Sequence, residues 1–315
     1  SQPAAQAVLD AITGRRSIRR FLPAPVPRET VERILQIAAR APSGSNIQPW
    51  QVIVLTGQAL KDFGDQLTAH SLSGAPAEWE YAYYPRHWRE PYLARRRKVG
   101  WDLYGALGIG RGEREATARQ HARNFGFFGA PVGLIVTMDR DMETGSWLDL
   151  GMFLQNILIA ARGFGLDTCP QAAFAGYAAT VSRLLGIPAG RQVIVGMALG
   201  HADPTAPENG FPTAREEVGA FARFVETLPA GALVRSGLQG RGLRAARGER
   251  DDALPDRGHG IVHLVAPAIG TIQTGTLPEP GLHHGFDRPS GTWRRCCPFG
   301  LLEAVDLAQQ QFQHL

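Results

Sequence analysis

The stretch SWLDLGMFLQNILIAARGFGLDTCPQ, residues 146–171, decides the fold of this chain. Its first two thirds are almost entirely apolar and predict one long helix. Gly163 and Gly165 follow as helix C-caps commonly require, since glycine adopts positive φ without steric cost. Apolar residues occur on all sides of the helix, so we expect it to lie at the centre of the fold.

The segments around this helix alternate between helical and strand patterns. Residues 3–13, 27–41, 58–68 and 113–128 predict helices, as does the short stretch 178–188, and residues 52–55, 130–139 and 191–200 predict buried strands. Residues 70–97 are dense in Trp, Tyr, Pro and Arg and predict an irregular or short-helical excursion of the kind that often walls a site. We place a domain boundary at about residue 226. Residues 227–315 are rich in Gly, Arg and Pro and are expected to be a poorly ordered extension, a small added module or the product of out-of-frame translation.

Composition narrows the class of protein. The chain has 315 residues, three cysteines and a net charge of +4. It contains no apolar run long enough for a membrane span and no secretory signal pattern, so we expect a cytoplasmic protein. Only Lys61 and Lys98 are lysines, and arginine supplies the remaining positive charge. Clustered arginine favours phosphate or carboxylate ligands, although a genome-wide composition bias explains the same preference.

Two polar motifs point to a ligand. GRRSIRRF, residues 14–21, places three guanidinium groups and a hydroxyl within five residues, which suits a phosphate or another delocalised anion. PSGSNIQPW, residues 42–50, offers backbone N–H groups, hydroxyls and amides to a flat polar ligand. A solvated basic turn and a self-capped loop are the alternative interpretations. Neither a Rossmann nor a Walker glycine motif is present.

Together, these motifs and the opening stretch resemble the FMN-dependent nitroreductase family, especially its nitroaromatic and nitrobenzoate reductase-like members. The matching segments include RRSIR at residues 15–19, PSGSNIQPW at 42–50, FFGAPVGLIVTMDR at 127–140 and VIVGMALGHAD at 193–203. The resemblance spans about residues 8–225, residues 1–226 being the predicted FMN-binding domain. It implies an α+β fold with a central mixed sheet flanked by helices, in an intertwined homodimer with two FMN sites at the interface.

The resemblance also implies which residues bind FMN. They are Arg15, Arg16, Ser17, Arg19, Pro42, Ser43, Gly44, Asn46, Pro170, Gln171, Ala172, Ala173 and Arg215. Arg15, Ser17 and Arg215 would meet the phosphate, and Arg16 the phosphate or the pyrimidine edge. Arg19 would lie nearer the ribityl chain and the N1/C2=O side.

The other positions would contact the flavin ring. Residues 42–44 would touch the flavin of the other subunit, and Asn46 and Gln48 match the family pattern without a clear contact. Residues 170–173 would lie along the ring from the dimethylbenzene to N5. Many relatives carry an acidic residue where this chain has Ala172, and a backbone donor survives that change.

The implied activity is two-electron reduction of nitroaromatic compounds by NAD(P)H, with hydride passing through flavin N5 in a ping-pong cycle. No side-chain nucleophile, metal or nucleic acid is required, and no membrane partner is expected. Alternatives are quinone, ene-type or dehalogenating reduction on the same fold, a non-catalytic flavin-binding protein, or a nucleic-acid binder acting through its arginine-rich tail. Phe125 and Phe128 are predicted to wall the substrate pocket, although such phenylalanines also suit the core. Cys169 is expected to be structural.

Overall fold

The computed structural model describes residues 2–228. Residues 2–215 belong to one compact unit, and residues 216–228 belong to a second unit. The predicted extension from residue 227 therefore lies almost entirely outside the described residues. The helices are α1 Gln2–Gly14, α2 Arg28–Ala38, α3 Gly57–Leu72, α4 Tyr92–Ala106, α5 Arg114–Ala122, α6 Thr144–Gly163, α7 Ala178–Leu185 and α8 Val218–Phe221. The strands are β1 Gln51–Thr56, β2 Val132–Asp139, β3 Asp167–Gln171 and β4 Arg191–Gly200.

The four strands form one sheet in the order β1-β2-β4-β3. This helix and sheet composition confirms the α+β prediction. The sheet differs from the predicted mixed sheet, because all three strand pairings among the described residues are antiparallel. Among the described residues, parallel pairing occurs only in isolated bridges, one of which joins Ser17 to Thr168 of β3.

Each face of the sheet carries its own hydrophobic core. On one face, Leu134 and Met197 pack with α2 and α6. On the other face, Ile135 and Ala198 pack with α3, α7 and a group of phenylalanine rings. The alternation of side chains along each strand produces this division. In the described chain, no helix is long and apolar enough to cross a membrane.

Several details of the helices differ from the sequence prediction. The excursion expected to be irregular or short-helical over residues 70–97 leads into the 15-residue helix α4, whose apolar periodicity is weak. The helix expected over residues 113–128 ends at Ala122, and Phe127 and Phe128 then adopt positive φ in a tight turn. Helix α6 buries one side only, since Leu148 is 71% exposed and Met152 is 39% exposed. Its apolar sequence therefore includes a second apolar side that is exposed.

Candidate active site

The arginine segment, residues 15–19, lies against the edge of the sheet. Ser17 forms a parallel bridge with Thr168 of β3, and the Ile18 N–H donates to the Thr168 carbonyl at 3.0 Å. Ile18 is buried in the core and anchors the segment. The half-buried Arg15, Ser17 and Arg19 alternate with it along the chain. An extended strand segment explains why every second residue points away from the core.

Two of the predicted phosphate ligands lie close together, although 200 positions separate them in the sequence. The pKa of Arg15 is lowered, first by burial and then by the positive charge of Arg215. Arg19 lies over the ring of Phe211, 5.8 Å from its centroid, so the chain before Arg215 also meets the segment. Like charges repel, and this repulsion is strongest where solvent is excluded. Such a pair is therefore unfavourable until an anion neutralises it.

Arg20 differs from the neighbouring arginines in having an acidic partner. Within residues 2–215, Arg15, Arg16, Arg19 and Arg215 form no ion pair with a carboxylate. Arg20 instead pairs with Glu208, with 2.9 Å between Nε and Oε1. Glu208 also accepts from Arg123 at 2.8 Å. The charge of Arg20 is thus neutralised by a carboxylate, whereas Arg19 and Arg215 donate to nearby carbonyl oxygens and keep an uncompensated charge within this part of the chain.

Glu208 is a buried charged residue that the sequence analysis did not single out. Its side chain has no exposed surface. Burial by itself raises the pKa of Glu208, but hydrogen bonds from Arg123, the backbone and Arg20 outweigh burial and leave the pKa lowered. The carboxylate is therefore ionised at neutral pH, as its pairing with two guanidinium groups requires.

Cys169 lies beside the arginine segment but is not a nucleophile. Its side chain is buried, and burial raises its pKa to about 11, partly offset by Arg19 and Arg15. At neutral pH the group is a thiol, and the thiolate is the reactive form of cysteine. The predicted structural role agrees with this placement.

Cys169 should make a measurable contribution to stability at alkaline pH. The folded pKa of about 11 lies above the reference value of 9.0, so the protonated thiol stabilises the fold below pH 9, and this contribution is lost as pH rises toward 11. Through this group, the wild-type protein should lose about 2 kcal/mol of unfolding free energy between pH 9 and 11, and Cys169→Ala should not show that loss. Urea denaturation of both proteins at several pH values measures the difference. Parallel curves for the two proteins would contradict the assignment.

The chain at the end of β3 presents small groups and backbone. Pro170 is exposed, while Ala172 and Ala173 are half-buried at the start of a 3₁₀ turn, Ala172–Gly176. The first N–H groups of a helical turn have no acceptor within that turn. Gln171 is 2% exposed and donates its amide to the Asn124 carbonyl at 2.7 Å, so its side chain faces the protein interior. Any contact from Gln171 to a ligand on this surface must therefore come from its backbone.

The loop at residues 42–48 has an unusual backbone. Ser45, Asn46 and Gln48 all have positive φ, at 49°, 57° and 50°. Non-glycine residues adopt this region at a cost of about 1 kcal/mol or more each, and such strain clusters at functional sites. Two bonds hold the loop in place: the Gly44 N–H donates to the Asp149 carboxylate at 3.1 Å, and the Gln48 N–H donates to the Ser43 hydroxyl at 3.1 Å.

Asp149 explains how α6 positions this loop. It is 8% exposed and lies on α6, where its carboxylate receives the Gly44 N–H. The sequence analysis assigned no role to this residue. An acidic residue in an otherwise apolar helix is the sequence signal that points to such a contact. The neighbouring Trp50 stacks on Phe153 of α6 with ring centroids 4.7 Å apart, as expected for a core residue.

The 42–48 loop and the start of the arginine segment lie near different parts of α6. Gly44 contacts α6 at Asp149, whereas a Cβ on Gly14 would lie 3.8 Å from the Arg162 guanidinium, near the other end of the helix. At 1.5 Å per residue, the backbone positions of Asp149 and Arg162 are about 20 Å apart. The loop is therefore anchored at the opposite end of α6 from Gly14, the residue before the arginine segment.

The two phenylalanines predicted for the substrate wall lie in the core. Phe125 has no exposed surface and packs edge-on against Phe174 with centroids 5.6 Å apart. Phe128 is 4% exposed and belongs to the same cluster. Rings this deeply buried do not present a face to a bound aromatic compound. Their positions agree with the core interpretation that the same spacing allowed.

Comparison with known proteins identifies the family. The nitroreductase family profile matches residues 12–201, which include the arginine segment, the 42–48 loop and all four strands. The chain belongs to the nitroreductase family. The resemblance inferred from the motifs is thereby confirmed.

Several relatives in this family align over nearly their full length. The chain is 39% identical to the 4-nitrobenzoate reductase of Nocardioides sp. strain LMS-CY over 71% of this chain and 92% of that protein. It is 40% identical to the chloronitrobenzene nitroreductase of Comamonas testosteroni over 71% of this chain and 99% of that protein. Among solved structures, the FMN and NADPH-dependent nitroreductase NfnB of sphigopyxis sp. strain HMH has a TM-score of 0.67 and 37% identity, covering 70% and 99% of the two chains.

Proposed function

We propose that this nitroreductase-family protein is an FMN-dependent enzyme that reduces nitroaromatic compounds with NAD(P)H. The carrying observation is the set of arginines at residues 15–19 and 215, which lack acidic partners within residues 2–215. Their first segment pairs with Thr168 of β3, and the charge of Arg215 acts on Arg15. The relatives at 39% and 40% identity are nitroaromatic reductases by name, and the NfnB proteins of known structure are FMN-dependent. These relatives supply the substrate class and the cofactor.

The arginine set fits a phosphate monoester. Arg15 is half-buried and repelled by Arg215, so a dianion between the two would relieve both the repulsion and the lost solvation. Guanidinium groups bind phosphate oxygens in pairs, which suits a ligand reached from two chain segments. Ser17 and Arg16 would add contacts to the phosphate, and Arg16 alternatively contacts the pyrimidine edge.

The residues after the phosphate site suit a flat ring. Residues 170–173 offer a proline, two methyl groups and backbone N–H groups, with no charged side chain among them. Arg19 would supply a fixed positive charge to the N1/C2=O side, where it stabilises added negative charge. When bound, FMN supplies the hydride chemistry at N5, accepting from NAD(P)H and delivering two electrons at a time to the nitro group. The chain's own residues bind the cofactor, orient it and shape the substrate pocket.

Absorption spectroscopy tests this proposal. Purified protein supplied with FMN should show flavin bands, and anaerobic NADH or NADPH should bleach them. Adding 4-nitrobenzoate should restore the bands faster than a quinone or a halogenated phenol does. A protein that neither binds FMN nor is stabilised by it would contradict the proposal. Faster reoxidation by the quinone or the phenol would favour the corresponding alternative reductase, and binding without bleaching would favour a flavin-binding protein.

We further propose that the enzyme is a homodimer whose two FMN sites each combine residues of both protomers. The 42–48 loop is anchored near the start of α6 and the arginine segment begins near its other end, so a loop supplied by a partner would complete each site. An apolar surface of helices α1 and α6 is available for pairing. Its exposed residues are Val8, Leu9, Ile12, Leu148 and Met152. Exposed large apolar side chains of this kind are typical of protein interfaces.

Leu148→Asp should dissociate this dimer. A carboxylate in the centre of an apolar interface loses its solvation without gaining a partner, so we expect a mass near 34.1 kDa instead of twice that value. The monomer should also bind FMN weakly, because the partner's loop is lost. Light scattering after size exclusion measures the mass, and Leu72→Asp is the control, since Leu72 is 51% exposed on α3 at the other face of the sheet. An unchanged mass for Leu148→Asp would contradict this interface.

A further inference from the structure

The turn that follows β4 holds the arginine segment by its backbone. The Asn209 side chain accepts the Arg19 N–H at 2.7 Å and donates to the carbonyls of Arg20 at 2.8 Å and Asp203 at 3.0 Å. These three bonds use both amide hydrogens and the amide oxygen. An aspartate at this position would place a carboxylate against two carbonyl oxygens, so the amide is specifically suited to the contact.

The residue before Asn209 holds the same segment by a side chain. Glu208 accepts from Arg20 at 2.9 Å and from Arg123 at 2.8 Å. Residues 208 and 209 together therefore bind both the backbone and the side chain of one short stretch, residues 19–20. This arrangement leaves little freedom for that stretch to shift relative to the turn.

The turn connects the two groups of arginines that the phosphate site needs. Arg15 precedes the bound stretch by a few residues, and Arg215 follows Asn209 by six. Phe211 lies under the Arg19 guanidinium, so the chain runs directly from the turn along the arginine segment. Because Arg15 and Arg215 repel each other, bonds elsewhere must keep their segments together before a ligand arrives.

We propose that Asn209 is a positioning residue for the phosphate end of the cofactor site. It holds the segment bearing Arg15 against the segment bearing Arg215, without touching the ligand itself. This inference rests on the proposed binding of FMN. It predicts that Asn209 contributes to the part of the affinity that the phosphate supplies and not to the part that the ring supplies.

Comparison of FMN with riboflavin separates these two parts, because riboflavin lacks the phosphate. For Asn209→Ala in the full-length chain, we expect FMN binding to weaken roughly tenfold, as the loss of its positioning bonds implies, with riboflavin affinity nearly unchanged. Asn209→Ser, which can keep one of the three bonds, should fall between wild type and Asn209→Ala and serves if the alanine variant does not fold. Thr205→Ala is the matched control, since the Thr205 hydroxyl donates to the Asp203 carboxylate in the same loop and, among the residues that the structure describes, has no bond to Asn209 or to the arginine segment. Quenching of flavin fluorescence measures both dissociation constants.

The outcomes distinguish this inference from the proposed function. Equal weakening of FMN and riboflavin, with a lower unfolding temperature of the apoprotein, would show a merely structural role and overturn the inference. An unchanged ratio of the two affinities in the Asn209 variants would overturn it as well. A wild-type protein that binds FMN no more tightly than riboflavin would remove the phosphate assignment, and the inference would fail with it.

Discussion

Replacing Arg15 or Arg215 by methionine is expected to weaken FMN binding about 10- to 100-fold, as the loss of charge-assisted bonds to phosphate implies. The same variants should leave the apoprotein at least as stable as wild type. Methionine keeps an apolar stem of similar length, so the change removes the charge and little packing. Since Arg215 lowers the pKa of Arg15, removing either charge relieves repulsion in the ligand-free protein.

Opposite effects on binding and stability are the informative result. A cation retained for structure would lower the stability of the apoprotein when lost, whereas a cation retained for a ligand would not. Flavin fluorescence titration and thermal unfolding without FMN measure the two quantities. Arg33→Met on the exposed surface of α2 is the control and should change neither. Unchanged FMN affinity in both variants would remove these residues from the phosphate site.

The second large effect is expected in the core beneath the sheet. Phe174 is fully buried and stacks on Phe127 with centroids 4.7 Å apart, and it packs directly on Gly196 of β4. Phe174→Ala should lower the free energy of unfolding by about 3–5 kcal/mol, because a large cavity forms. Gly196→Ala should lower it by about 2 kcal/mol or more, because its new methyl group would overlap the Phe174 ring.

The two substitutions should interact strongly. In the Phe174→Ala background, the Gly196 methyl group no longer meets a ring, so its added cost should become small. Urea denaturation of the two single variants and the double variant measures the coupling. Gly105→Ala on α4 is a control, because a Cβ there has no atom within 4 Å. Additive losses would contradict the proposed contact between Phe174 and Gly196.

Local patterns were sufficient for most of the fold. The sequence predicted helix α6 and the buried strands β2 and β4, because burial of these elements requires long apolar runs that the sequence displays directly. The sequence predicted neither strand β3 nor the four-residue helix α8, and it did not distinguish α4 from an irregular or short-helical excursion. The reasons are physical for β3 and α4. Strand β3 has only five residues, including a proline, and α4 has too weak an apolar periodicity to be distinguished from a polar excursion. Both are stabilised by neighbours that lie far away in the sequence.

The closely spaced arginines by themselves indicated an anion ligand, and the family resemblance implied the individual ligands, Arg215 included. Tertiary structure showed how the arginines differ. Arg20 adjoins Arg19 in the sequence, yet of these two the distant Glu208 pairs only with Arg20. Phe125 and Phe128 have the composition of a substrate wall and lie in the core.

The 42–48 loop and helix α6 also separate what the sequence predicts from what only the folded chain decides. The sequence by itself determined the family, the main elements and the chemical character of the 42–48 loop and the arginine segment. Only the tertiary structure showed that the loop is held by Asp149 near the start of α6, that the arginine segment is held by Asn209, and that Gly14, before this segment, lies near Arg162 at the other end of the helix. Hydrogen bonds between residues more than 100 positions apart leave no periodic signal, because each depends on a single side chain meeting one backbone group in the folded chain.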